Sequence, residues 1–238
     1  MSTFVLVHGA WHGSWCWKRI RKALQARGHE VFTPTLTGVG ERSHLLSPRV
    51  NLDTHIEDVV NLIQWEELSD VVLCGHSYGG CVISGVADRL PDRIGALVYL
   101  DAFILEDGQS LYDTLPSFYK TSQIEAARRD GEGWKVPPIP ADVFNVNAGD
   151  REWMNRQCTM QPIATFQQAI KLSSKGDASK RAAFILATDF DNSPFTAFYD
   201  CAKAKGWKTL TMTSGHDVML DRPEELTAAL LDIARAGP

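Results

Sequence analysis

Apolar residues in this chain gather into short unbroken runs, and between the runs they recur every three or four positions. FVLV (4–7), VVLC (71–74), ALVYLDA (96–102), AAFILAT (182–188) and KTLTM (208–212) read as strands. Most lack polar alternation, as strands covered on both faces require. EVFTP (30–34), closed by Pro34, is a sixth. Helical spacing fills the gaps. Trp15, Trp17, Ile20 and Leu24 mark a helix over 14–28 that ends at Gly28, and Ile56, Val59, Val60 and Ile63 form one face over 51–68. Further helices are expected over 81–90, stopped by Pro91, over 195–206 and over 223–236. Six strands alternating with helices predict an α/β protein whose six-stranded, mainly parallel sheet carries helices on both faces.

The rhythm breaks between 103 and 180, which is polar, helix-forming and loop-rich, with VPPIP at 136–140. That is too long for a connection, so it is expected to be a mostly helical cap. The core is then 1–102 with 181–238. Open α/β sheets bind ligands at the carboxyl ends of their strands, where such a cap would sit.

Composition narrows the function. The chain has 238 residues, 44% of them hydrophobic and 22% charged, with a formal net charge of −5. This is an ordinary globular balance, with no electrostatic case for nucleic acid or an anionic membrane. No apolar stretch approaches a membrane span, and the first ten residues lack the basic region of a signal peptide. Five cysteines without paired spacing (Cys16, Cys74, Cys81, Cys158, Cys201) suit buried, reduced thiols in a cytoplasmic protein.

The chemistry centres on VVLCGHSYGG (71–80), where a strand runs into Gly75-His76-Ser77-Tyr78-Gly79 and a helix follows. A sharp strand-to-helix turn thrusts the serine hydroxyl out above the sheet, and flanking glycines make room for it. Ser77 is therefore the candidate nucleophile. It needs a general base, and of seven histidines only His216 follows it, in a loop between the last strand and the last helix. The third partner must hold the imidazole tautomer. Asp191 is favoured, after the strand AAFILAT; Asp189 in the same loop and Asp101 at the end of ALVYLD are the alternatives, while Asp217 beside His216 is expected to point elsewhere. Two N–H groups must face the developing oxyanion. Tyr78, after the nucleophile, and Ala10, in the loop after the first strand, are placed to supply them. His8 and His12 are read as structural hydrogen-bonding residues, since no acidic or histidine cluster suggests a metal. Trp11 is placed to line the pocket, Trp15 and Trp17 to fill the core. Phe103, Leu105, Trp153 and Phe166 are candidate contacts from the cap side.

VLVHGAWHGSWCW, GHSYGG, YLDAF and GHDVMLDRPEEL together resemble the α/β-hydrolase superfamily. They are most similar to its small-esterase group, which includes plant methyl-ester esterases and hydroxynitrile lyases. The resemblance runs from residue 4 to about 235 and is weakest in the cap. It implies an α/β-hydrolase fold with no cofactor, Ser77 as nucleophile, His216 as base, and Ala10 and Tyr78 as oxyanion donors. The stretch Thr188-Asp189-Phe190-Asp191 matches a pattern in some lyases whose second aspartate is catalytic; Asn192-Ser193-Pro194 fits less well. The lyases carry a threonine after the first-strand histidine and a lysine after the catalytic one, where this chain has Gly9 and Asp217. The expectation is thus a serine carboxylesterase acting on a small-molecule ester or lactone. A carbon–carbon lyase and a small-ligand sensor are the alternatives.

Overall fold

The computed structural model describes residues 1–173, 181–191 and 193–235. Residues 174–180 of the expected cap, Asn192 and residues 236–238 lie outside the described residues. Six strands, β1 (Thr3–Val7), β2 (Glu30–Phe32), β3 (Val71–His76), β4 (Ile94–Leu100), β7 (Ala182–Ala187) and β8 (Lys208–Met212), form one sheet in the order β2-β1-β3-β4-β7-β8. Every pairing in it is parallel. Burial explains the composition of the strands. All of β3 and β7 and residues 4–7 of β1 are buried, whereas the edge strands β2 and β8 are partly exposed and carry the polar residues. The second strand ends at Phe32, before Thr33-Pro34, because proline brings no N–H to a ladder.

The intervening helices match the periodicity: α1 (Lys18–Gln25), α2 (Leu52–Trp65), α3 (Gly79–Arg89), α8 (Thr196–Ala204) and α10 (Pro223–Arg235), the last preceded by the single turn α9 (Val218–Asp221). A 3₁₀ turn over Ser14–Trp17 precedes α1, so that helix starts later than the pattern suggests. Asn51 caps α2 by accepting from the Thr54 N–H at 3.0 Å. Cys16, Cys74 and Cys81 are buried, Cys158 is half-buried and Cys201 exposed, all unpaired. Burial pushes the Cys74 and Cys81 thiols up, as befits packing rather than reactivity. Among the described residues no helix is long and apolar enough to cross a membrane.

Between β4 and β7 lie α4 (Leu111–Thr114), α5 (Ser117–Asp130), α6 (Ala148–Gln157) and α7 (Ala164–Gln167). A two-residue antiparallel pair, β5 (Lys135–Val136) with β6 (Gln161–Pro162), joins them; it is too short to leave a periodic trace in the sequence. Arg19 of α1 ties this segment to the sheet layer. Its guanidinium donates to both oxygens of Asp150 at 2.6 and 2.7 Å and to the Leu220 carbonyl at 2.6 Å. The chain leaves β1 for β2 on one side and later returns to β3 on the other. The loops after β1 and β3 therefore meet at the reversal of strand order, where open α/β sheets form crevices.

Candidate active site

The turn after β3 holds Ser77 in the left-handed region, with φ +53°. Such a conformation is strained for a side-chain-bearing residue and persists only where its surroundings hold it. Three backbone bonds do so: Ser77 N–H donates to Leu100 O at 3.2 Å, while Phe103 and Gly80 N–H groups donate to Ser77 O at 3.2 and 3.0 Å. The glycines are steric necessities. A Cβ on Gly75 would lie 2.5 Å from Gly79 O, and one on Gly79 would lie 2.8 Å from both His8 O and Val7 O. Within Gly75–Gly80 only Ser77 escapes full burial, and its side chain opens onto a cavity.

His216 lines the same cavity and is 2% exposed. Its backbone is fixed from two sides: its N–H donates to Phe144 O at 2.9 Å, and His76 Nε2–H donates to its carbonyl at 3.0 Å. Its ring stacks on Phe195 at 4.9 Å and 4° and is flanked by Phe144 and Phe190. The imidazole Nδ1 lies 2.6 Å from Asp101 Oδ2. Asp101 sits just past β4 with φ +43°, fully buried, and its other oxygen accepts from the Ala187 N–H at 3.1 Å. Burial pushes the Asp101 carboxyl above the usual carboxylate range, against the opposing pull of its hydrogen bond to His216.

The structure thus gives His216 a different carboxylate from the one the sequence favours. Asp191 and Asp189 are both exposed, and among the described residues Asp189 contributes only backbone, to Ser214 and Asn145. Asp101, the third choice, is the residue within reach. β4 is the neighbour of β7 and ends beside Ile185, Asp101 N–H donating to Ile185 O at 2.7 Å, so the side chain just past its tip lies under the histidine loop that follows β8.

Ala10 and Tyr78 also line the cavity, and among the described residues neither backbone N–H has a hydrogen-bond partner. Gly9 lets the first loop come close, since a Cβ there would lie 2.9 Å from His76 Nδ1 and 3.0 Å from Ser77 Cβ. Trp11 follows in a left-handed conformation, φ +65°, and faces the cavity. Its backbone N–H donates to Gln161 Oε1 and its indole N–H to Val136 O, each at 3.1 Å. Most of the remaining wall is apolar and largely aromatic, including Phe103, Leu111, Ile139, Phe144, Phe166 and Phe190. Of the four cap-side contacts expected, Phe103 and Phe166 line the cavity; Leu105 is buried elsewhere and Trp153 packs on Trp15 at 5.1 Å. Periodicity gives no signal for Gln123 of α5, which also lines the wall and whose Oε1 is buried without a partner among the described residues.

Three further buried histidines behave in two ways. His8 donates from Nδ1 to Gly9 O at 2.8 Å and accepts from the Leu36 N–H at 3.1 Å, so it is neutral. His55 accepts from the Tyr78 hydroxyl and donates to Thr37 O, both at 2.8 Å, and so is neutral too. Burial lowers them to about 3 and about 4 respectively. His12 differs: its Nδ1 is 2.6 Å from Ala10 O and its Nε2 2.9 Å from Asp217 Oδ1, with both side chains buried. Among the described residues no group of three or more His, Cys, Asp or Glu side chains is arranged to hold a metal ion.

Residues 4–230 match the alpha/beta hydrolase family. The chain is 48% identical over 238 residues to a carbendazim hydrolyzing esterase of Nocardioides sp. (strain SG-4G), an alignment covering 97% of this chain and 98% of that one. It is 26% identical over 253 residues to putative methylesterase 11, chloroplastic, of Arabidopsis thaliana, covering 99% of this chain and 64% of that protein. Among solved structures, an extracellular alpha/beta-hydrolase from a Paenibacillus species superposes with a TM-score of 0.84 at 24% identity, covering 99% of this chain and 100% of the other. Tomato methylketone synthase I superposes with a TM-score of 0.79 at 23% identity, covering 100% and 99%.

Proposed function

The chain belongs to the alpha/beta hydrolase family, and from that premise we propose that it is a serine carboxylesterase working through an acyl-enzyme. One observation carries the reading. His216, bonded to buried Asp101 at 2.6 Å, shares a single apolar cavity with the strained Ser77 and the unpartnered N–H groups of Ala10 and Tyr78. Asp101 holds the proton on His216 Nδ1, leaving Nε2 as the base. Ser77 Oγ attacks the ester carbonyl as Nε2 takes its proton, and the Ala10 and Tyr78 N–H groups bond the oxyanion. His216 then protonates the departing alcohol. Water, activated by the same nitrogen, clears the acyl group.

The substrate is a small ester or carbamate with a flat apolar part, which the aromatic wall accepts. Gln123 Oε1 offers such a molecule one acceptor for an N–H or O–H. Within the segment expected to be the cap, residues 103–173 supply much of the cavity wall and act as its cover. Carbendazim, a methyl carbamate on an aromatic heterocycle, meets these requirements, and the 48% identity to an esterase named for it makes it the first probe to try. The lyase alternative lacks its cation: the residue after His216 is Asp217, buried against His12.

The test is hydrolysis of p-nitrophenyl acetate, p-nitrophenyl butyrate and carbendazim by the native protein beside Ser77→Ala. Turnover abolished in the variant, with an acyl burst in the native protein, is the expected result. Absence of serine-dependent turnover on every ester would overturn the assignment.

A further inference from the structure

The second histidine of HGAWHG and the aspartate of GHDVML have no part in the chemistry above, yet they meet. Asp217 is 0% exposed and His12 2%. Neither oxygen of Asp217 has an aligned hydrogen bond among the described residues, so its 2.9 Å approach to His12 is a charge contact rather than a directed bond. A buried carboxylate without hydrogen bonds needs a cation beside it. Of the nearby rings other than His12, His216 gives Nδ1 to Asp101, and His76 gives Nε2 to the His216 carbonyl and is held neutral by burial. His12 presents one nitrogen to Asp217 and the other to the Ala10 carbonyl at 2.6 Å. Both neighbours are acceptors, and only an imidazolium supplies two N–H groups.

We propose that Asp217 and His12 form a second carboxylate–imidazole pair, which positions the oxyanion loop. Asp217, on the histidine loop, holds His12; His12 grips the Ala10 carbonyl; and that grip sets the aim of the Ala10 N–H. The role rests on the esterase reading, since it concerns the oxyanion donor. Trp11, next to Ala10, is held in the left-handed region by Gln161 on its N–H and Val136 on its indole, and His12 supplies the grip on the Ala10 side. Covalently, Asp217 adjoins His216, so one short segment sets both the base and, through His12, the oxyanion donor. Neither residue touches substrate: both are absent from the cavity wall, and both act through Ala10. Electrostatics agree. Burial opposes charge on both groups, yet Asp217 holds His12 above its ordinary value, and His12 in turn holds Asp217 well below the usual carboxylate range. The titratable groups facing the pair are His8 and His76 toward His12, and His76, His216, Asp101, Cys16 and Cys158 toward Asp217.

Two measurements test this. In the native protein, ¹⁵N-histidine NMR should find His12 doubly protonated at pH 7.5, when His8, His55 and His76 are neutral. A neutral His12 overturns the pair whether or not the protein is an esterase. Second, Asp217→Asn and His12→Gln should each lower kcat on p-nitrophenyl butyrate about 10–100-fold with KM within about threefold, somewhat less than outright removal of an oxyanion donor. They should weaken inhibition by an aryl trifluoromethyl ketone, whose adduct carries the oxyanion, by a similar factor. The double variant should be no worse than the worse single. Folded variants with native kcat and native inhibitor affinity would overturn the role, as would a loss confined to KM. Loss of turnover in the native protein itself would instead sink the esterase reading and leave the NMR result standing.

Discussion

At the scale of single residues, the deciding contact is the 2.6 Å bond from His216 Nδ1 to Asp101. Asp101→Asn keeps the shape but cannot accept the Nδ1 proton as a carboxylate does. It should lower kcat about 10²–10⁴-fold, by analogy with loss of a triad acid. Asp189→Asn and Asp191→Asn, both exposed, should stay within about twofold of native. Steady-state kinetics on one activated ester separates them, and a large loss at Asp191 would reinstate it. The sequence carried one sign of Asp101: a charged side chain closing the buried run ALVYL. Nothing local distinguishes it from Asp189 or Asp191. The Asp101–His216 contact spans 115 residues of chain and exists only because β7 alone separates β4 from β8, whose following loop carries His216.

At the scale of an element, the strand–turn–helix around Ser77 is specified by excluded volume. Gly79 sits under the carbonyls of Val7 and His8, where a Cβ would meet both at 2.8 Å. Gly79→Ala should therefore push β1 and α3 apart, at a cost of about 1–3 kcal/mol or more, the usual penalty for overpacking. Gly149 is the contrasting case. It is exposed in α6, and a Cβ there would have Asn147 Oδ1 as its nearest neighbour, at 3.4 Å. Gly149→Ala should raise stability by up to about 1 kcal/mol through helix propensity. Denaturant unfolding of the two variants should move in opposite directions. Equal shifts would mean that space around Gly79 does not control the turn. This element was legible in the sequence because its cause is local: an apolar run, a pentapeptide and a helix, all contiguous.

At the scale of the whole molecule, several buried histidines make the fold sensitive to acid. Burial lowers His8 to about 3 and His55 to about 4, and it lowers His76 well below its ordinary value. Each stays neutral in the folded state while the unfolded chain takes up a proton. Their stabilising contribution is complete above about pH 6.5 and is lost as pH falls toward the folded values, at up to about 1.4 kcal/mol per pH unit per histidine. His12, raised, works in the opposite sense: its contribution is present below about pH 6.5 and is lost as pH rises through its folded value. Unfolding free energy should therefore drop between pH 7 and 4.5, and His55→Gln should flatten that slope. A slope unchanged by His55→Gln would show that this ring does not carry the effect.

What the sequence determined by itself was everything set by neighbours along the chain. The α/β class, six strands and their helices follow from periodicity. Ser77 as candidate nucleophile follows from the glycines around it, and His216 as candidate base from being the only histidine after it. What tertiary structure alone decided was every pairing that needs strand order: the carboxylate for His216, the meeting of Ala10 with Tyr78, the contact of His12 with Asp217 and the aromatic wall gathered from distant segments. Periodicity records which face of an element is buried. Which other element covers that face depends on packing energies summed over the whole sheet, and no local pattern encodes that sum.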